Sequence, residues 1–140
     1  RISVAAGSEQ EYVAWYAEME TPKGVWLGRR SLQGESFGNY TPLHPDAAVS
    51  DAPATAAQGD ALWVVWHAKT EEAGRGIYLS ISEDGGASLS PPERLSDIES
   101  TAAFPAIALN QREAIIGWEA GGRIVAIRRA HTQIVAQHQQ

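Results

Sequence analysis

Apolar and polar residues follow one another along the chain in short runs that recur at a regular interval. Three apolar runs carry a tryptophan, at Trp15, Trp66 and Trp118, and these residues are 51 and 52 positions apart. A polar turn introduces each run, a small-residue segment precedes it and a second apolar segment follows it. The second apolar segment begins at Gly24 in the first copy and at Gly76 in the second, again 52 positions apart. The pattern predicts three copies of one structural unit.

The segments within each copy predict β-strands. They are five to seven residues long, rich in Val, Ile, Trp and Tyr, and bounded by Gly, Pro and Asp, as the strands of an antiparallel meander are. No segment has helical periodicity. A repeat of this length with four strands is typical of a β-propeller blade. We therefore predict an all-β fold of about three four-stranded antiparallel blades, at residues 1–50, 51–97 and 98–140.

Composition excludes several classes of function. The chain has 140 residues, of which 44% are hydrophobic and 20% charged, as in globular proteins. A net charge of −6 argues against a nucleic-acid partner. No apolar run approaches the ~20 residues of a membrane helix, so no membrane span is expected. No cofactor is expected, and the absence of cysteine excludes thiolate chemistry. A secreted or periplasmic location is favoured, although this absence fits an oxidising or a reducing compartment.

The stretch between Ser80 and Ser90, "SISEDGGASLS", is longer than a tight hairpin requires. Its polar residues stand at set offsets. These are Ser82, Asp84, Gly86 and Ser88, followed by Leu89. The pattern resembles the Asp-box of sialidase-like (BNR repeat) β-propellers, which reads Ser/Thr-x-Asp-x-Gly-x-Thr/Ser-aromatic.

The resemblance implies a six-bladed propeller in which this box forms the hairpin between the third and fourth strands of blade two. Asp84 is then structural and accepts backbone hydrogen bonds, and Leu89 takes the place of the family's buried aromatic residue. The other two blades depart from the pattern, because Leu32 and His131 stand where Asp84 does. The box therefore predicts a scaffold element and carries no catalytic aspartate.

Propeller topology also predicts where a ligand would bind. The loops between second and third strands share a face with the connections between blades, opposite the box. In sialidase-like proteins that face holds the ligand. Tyr16, His67 and Glu119 are equivalent positions at this face that differ while their surroundings repeat, and His44 and Asp46 lie in a connection. These five are the predicted ligand-binding residues.

Other chemistries find less support in the sequence. The resemblance implies three carboxylate-binding arginines and a Tyr-Glu nucleophile pair in sialidases, but no catalytic residue can be carried over to this chain. His44 and His67 could share a face and hold a metal ion. His131 and His138 are expected on an exposed C-terminal strand, and Trp63 has no repeat partner and could be exposed.

The sequence thus predicts a non-catalytic propeller module that binds a glycan or a protein. A fragment of a sialidase-type glycoside hydrolase, a metal-binding propeller and a purely structural segment remain alternatives. Three blades are fewer than the roughly four to eight that close a ring. The expected partner is the remainder of the propeller, either a missing segment or a second chain, and we interpret the start at Arg1 as processed or truncated.

Overall fold

The computed structural model describes residues 1–34 and 36–131, which contain eleven β-strands. The strands are β1 (Ile2–Ala6), β2 (Gln10–Ala17), β3 (Gly24–Ser31), β4 (Gly38–Pro42), β5 (Val49–Gln58), β6 (Ala61–Lys69), β7 (Gly76–Ser82), β8 (Glu93–Arg94), β9 (Ala102–Leu109), β10 (Glu113–Ala120) and β11 (Arg123–Ala130). Within these ranges, no helix is long and apolar enough to cross a membrane.

The strands form three antiparallel sheets in chain order. Sheet 1 contains β1 to β4, sheet 2 contains β5 to β8, and sheet 3 contains β9 to β11. The predicted all-β fold is confirmed, with two four-stranded sheets and one three-stranded sheet among the described residues. The place of a fourth strand in the last blade, and with it His138, lies outside those residues.

The sheets stand side by side in the same orientation, with their first strands adjacent. Strand β1 lies against β5, and β5 lies against β9. The Ser3 and Thr55 hydroxyl oxygens are 2.9 Å apart, and the Thr55 N–H donates to Ser3 Oγ at 3.0 Å. Ser8 donates to Asp60 in the same way, at 3.3 Å. Each contact joins residues 52 positions apart, so nearly corresponding positions of successive repeats meet, one from each of the two facing sides.

The core consists of two apolar layers, one on each face of sheet 2. Leu62, Val64 and Trp66 face sheet 1, whereas Trp63 and Val65 face sheet 3. Every residue of β6 except the last is buried. This explains why the run is apolar throughout, because a strand covered on both faces needs no polar side. The expectation that Trp63 could be exposed is wrong, since it is 2% exposed.

The repeated tryptophans occupy second strands and point toward the preceding sheet. Trp66 packs against sheet 1, and Trp118 packs against sheet 2. Trp15 alternates with Tyr12 and Ala14, which face sheet 2, so its ring lies on the opposite side of sheet 1. Trp15 is only half-buried, because no described sheet covers that side.

The hairpin of residues 82–89, which we call the box hairpin, follows β7 and is held by the Asp84 carboxylate. Asp84 Oδ1 accepts the Ser88 N–H at 2.9 Å and the Ser82 hydroxyl at 2.8 Å. Asp84 Oδ2 accepts the Ser88 hydroxyl at 2.5 Å. These bonds, with those from Ser88 first, lower the pKa of Asp84 from 3.8 to about 2. Asp84 therefore accepts a backbone hydrogen bond within its own hairpin, as predicted.

Two glycines let this hairpin bend back onto its neighbours. Gly85 and Gly86 have φ of 70° and 86°, a conformation that favours glycine. Gly85 donates to the Asp60 carbonyl and accepts from Arg29 of sheet 1, at 2.9 and 3.0 Å. Leu89 packs against the core between sheets 1 and 2 but is half-buried.

His131 differs from the sequence expectation. Instead of lying on an exposed strand it is 2% exposed, with its ring in edge contact with Trp63 at 6.0 Å. Its backbone N–H donates to the Arg112 carbonyl at 2.7 Å. The sequence could not indicate this burial, because the covering residue, Trp63, lies in the preceding repeat.

The two-layer core makes a first prediction about stability. Leu62→Ala should lower the free energy of unfolding by roughly 2–5 kcal/mol, because Leu62 is fully buried between sheets 1 and 2. Ile98→Ala, at a 60% exposed position, is the control and should change it little. Urea unfolding of both variants measures the difference. Similar small effects for the two would contradict the packing described.

The hydrogen bonds of Asp84 make a second prediction. The folded chain holds the Asp84 pKa below its unfolded value, so this carboxylate stabilises the fold fully above about pH 4 and loses its contribution as pH falls toward 2. Asp84→Asn should lower the melting temperature at neutral pH and flatten its dependence on pH in that window. Glu18→Gln, at an exposed carboxylate, is the control. An unchanged acid profile in Asp84→Asn would refute the assignment.

Candidate functional site

The predicted site residues lie at one end of the sheets, which we call the connector face because the segments joining the sheets are there. Within sheet 2, His67 pairs with Ile77, whereas Leu62 pairs with Ser82 at the start of the box. Five residues of strand separate the two points, roughly 16 Å. The box and His67 therefore lie at opposite ends of the sheet, as the topology predicts.

Tyr16 and Glu119 occupy the corresponding ends of their own sheets. Tyr16 pairs with Val25 near the end of β2, and Glu119 pairs with Ile124 near the end of β10. Tyr16 is half-buried and Glu119 is exposed. Both reach the connector face, but neither lines the cleft described below.

His67 joins sheet 2 to sheet 3. Its Nδ1 accepts the backbone N–H of Phe104 at 3.1 Å, and its ring meets the Phe104 ring at 5.2 Å. His67 is 7% exposed. Burial, reinforced by the charges of Arg75 and Arg1, lowers the pKa of His67 below 6.5, and Asp51 opposes this shift. The neutral ring is thus the stable form in the folded chain.

His44 plays a similar part between sheets 1 and 2. Its Nδ1 accepts the indole N–H of Trp66 at 3.0 Å. The ring of His44 also makes an edge contact with Tyr78, at 4.5 Å between centroids. Burial lowers the pKa of His44, against the opposing charge of Asp46. Here too the neutral form is favoured.

These hydrogen bonds determine the tautomer of both rings. An indole N–H and a backbone N–H can only donate, so Nδ1 of each histidine is the acceptor and Nε2 carries the proton. A protonated Nε2 donates a hydrogen bond and cannot ligate a metal. Among residues 1–34 and 36–131, no three His, Asp or Glu residues are grouped as metal ligands. The metal alternative therefore gains no support.

A cleft of 460 Å³ opens on the connector face beside His44. It is lined by Asp46, Thr70, Glu71, Glu72 and Tyr78. The three carboxylates are exposed at its rim. Tyr78 is 8% exposed, packs against His44 and Trp66, and accepts a hydrogen bond from Arg94 at 3.4 Å. The cleft thus offers carboxylate acceptors, the Thr70 hydroxyl and the small exposed part of one aromatic side chain. Asp46 is the predicted site residue that lines it.

Phe104 is a feature of this face that the sequence did not reveal. Phe104 and Ala52 are 52 positions apart in the first strands of their sheets, and both have positive φ, 57° and 56°. The Asp51 carboxylate accepts the Ala52 N–H at 2.6 Å, and the Arg1 guanidinium lies 5.0 Å from the Phe104 ring centre. Ala and Phe rarely adopt this conformation, so nothing in their identity signals it.

Comparison with known proteins bears on the fold. No family model and no curated protein matches the chain. Among solved structures, the chain is similar to the GH43 endo-arabinanase from Bacillus licheniformis, with a TM-score of 0.50 and 8% identity. That enzyme is a five-bladed propeller glycoside hydrolase. The chain has a β-propeller fold.

The extent of this likeness limits what it means. It covers 92% of this chain but 52% of the arabinanase, so the propeller chain spans about half the length of that enzyme. At 8% identity the similarity concerns the fold alone. It supports a β-propeller fold and does not single out the sialidase-like family that the hairpin after β7 resembles.

The lowered pKa values of His67 and His44 predict that the free energy of unfolding depends on pH. The unfolded chain takes up protons at His67 and His44 near pH 6.5, before the folded chain does, because their folded pKa values are lower. The stabilisation present above pH 6.5 is therefore lost as pH falls below it. His67→Asn should reduce the difference in unfolding free energy between pH 7.5 and pH 5, since the amide oxygen can accept the same N–H without titrating.

The double variant His67→Asn/His44→Asn should reduce this difference further. Chemical unfolding at the two pH values measures it. A pH dependence equal to that of the wild type in both variants would contradict the role given to the two rings.

Proposed function

We propose that this protein is a non-catalytic, sialidase-like Asp-box propeller module that binds a glycan on its connector face. The cleft lined by Asp46, Thr70, Glu71, Glu72 and Tyr78 is the observation that carries this proposal. Its 460 Å³ fall within the range of small-molecule sites, roughly 300–1,000 Å³. Carboxylates and hydroxyl groups around an aromatic ring suit a ligand that has many hydroxyl groups and an apolar ring face.

The charge of the cleft favours a neutral glycan. Asp46, Glu71 and Glu72 contribute three carboxylates, in a chain of net charge −6. Sugar hydroxyls can donate to these oxygens, and hydrogen bonds to charged groups are the stronger ones. A ligand with its own carboxylate, such as a sialoside, would be repelled. We therefore propose a neutral oligosaccharide.

The lining also favours binding over hydrolysis. Glycoside hydrolysis uses a pair of carboxyl groups, one of which burial keeps protonated as the general acid. Asp46, Glu71 and Glu72 are all exposed on loops, and none of the three is enclosed by apolar side chains. The cleft can thus hold a sugar but lacks the environment that a general acid needs.

A second candidate is a fragment of a glycoside hydrolase whose catalytic residues lie largely outside this chain. The fold similarity to an endo-arabinanase favours it. Release of reducing sugar from arabinan or from a sialoside by a longer polypeptide that contains this chain, but not by this chain alone, would support the second candidate against the first.

Binding can be tested with neutral oligosaccharides, arabino-oligosaccharides among them, and with a sialoside as the anionic comparison. Calorimetry should show binding of at least one neutral ligand and none of the sialoside. Glu71→Gln/Glu72→Gln should weaken that binding about tenfold, equivalent to about 1.4 kcal/mol, through the loss of charged acceptors.

Glu99→Gln, at an exposed carboxylate of a different connection, is the matched control and should bind as the wild type does. Absence of binding across the neutral panel, or equal effects of the two sets of substitutions, would overturn the proposal.

A further inference from the structure

The two end sheets each leave one apolar face uncovered. On sheet 1 this surface, the first-sheet face, contains Ile2, Val4, Val13, Trp15 and Tyr40. Ile2 and Val4 are 69% and 68% exposed, and no described sheet packs on them. Contiguous exposed apolar side chains of this kind mark an interaction surface.

The opposite end of the arc presents the complementary surface. On sheet 3 the third-sheet face contains Ala106, Ala108, Ile115 and Ile124, and three charged residues lie on the same side, Glu113, Glu119 and Arg128. Ile115 and Ile124 are 40% and 78% exposed. Ala114 and Ile116, which flank Ile115 in β10, face sheet 2, and this places the third-sheet face on the far side of sheet 3.

These two open faces are the same kinds of surface that already pack together inside the chain. The first-sheet face is the counterpart of the side of sheet 2 that contains Leu62, Val64 and Trp66 and packs on sheet 1. The third-sheet face is the counterpart of the side of sheet 2 that packs on sheet 3. The row of three sheets therefore ends in one surface of each kind. The third-sheet face matches the first-sheet face as the facing sides of neighbouring sheets match inside the chain.

Arginines of the third strands also distinguish the side of a sheet that faces the following sheet from the side that faces the preceding one. Arg29 points to the following sheet and donates to the Gly85 carbonyl at 3.0 Å, and Arg129 points to the preceding sheet and pairs with Glu93 at 2.8 Å. Arg128 has the forward direction of Arg29, but lies on the third-sheet face. It is 70% exposed and reaches only its own sheet, at Glu113. If a sheet 1 packed on this face, the turn after its third strand would correspond to the box and would give Arg128 an acceptor, as Gly85 does for Arg29.

We propose that a second copy of this chain covers both faces. The first-sheet face of each copy packs on the third-sheet face of the other, about a two-fold axis that makes the two contacts identical. Two arcs of three sheets give six, within the roughly four to eight blades that close a propeller. The proposal does not depend on the proposed function, because it concerns the sides of the arc and not the connector face.

Sedimentation of the 140-residue chain tests the proposal. The expected particle has twice the 15.1 kDa mass of one chain. Val4→Lys and Ile115→Glu each place a charge at an exposed position of one face, so each variant should sediment at the mass of one chain with its tryptophan fluorescence unchanged. Ile98→Lys, at an exposed position outside both faces, should retain the double mass.

Mixing the two variants identifies which surfaces meet. An equimolar mixture of Val4→Lys and Ile115→Glu should recover the double mass, because one contact is then charge-compensated and the other is wild type. Failure of the mixture to recover would overturn the pairing of the first-sheet face with the third-sheet face. A folded wild-type particle with the mass of one chain would also overturn the proposal, because the open faces would then be left to sheets of another polypeptide. Assembly beyond two copies would overturn it as well.

Discussion

The packing of one sheet on the next is the interaction on which the rest of this structure depends. Sheet 2 is covered on both sides, and its second strand can therefore be apolar along nearly its whole length. A four-stranded sheet by itself would expose both of its sides to water. The positions of the box hairpin, of both histidines and of the acidic cleft all follow from this side-by-side arrangement, because each is bounded by residues from two strands or two sheets.

Much of this fold could be predicted from the sequence because its determinants are local and repeated. The interval of 51 and 52 residues between Trp15, Trp66 and Trp118 predicts the number of units. The order of strands then predicts that His67 and the box lie at opposite ends of a sheet. The spacing of Ser82, Asp84 and Ser88 predicts their hydrogen bonds, since all three residues belong to one hairpin.

The parts that could not be predicted depend on residues distant in sequence. The burial of Trp63 and His131 comes from contact between successive repeats. The tautomer of His67 is determined by the Phe104 N–H, 37 positions away. Of the five predicted ligand residues, only Asp46 lines the cleft, whereas Thr70 and Tyr78 line it without a sequence signal. A repeat pattern identifies a face but does not show which of its side chains converge.

The hydrogen bond between Ser3 and Thr55 has a consequence for the ancestry of such a chain. It joins adjacent positions of the first strands of consecutive repeats, on the sides that face each other, so both halves of the interface belong to one repeat and its copy. Duplication of one 52-residue unit would place a matching surface beside the old one without any further substitution. Loss of one whole unit would likewise leave every surviving contact in register. Blade number can thus change in whole steps, while an insertion of a few residues inside a strand would disturb both neighbours at once.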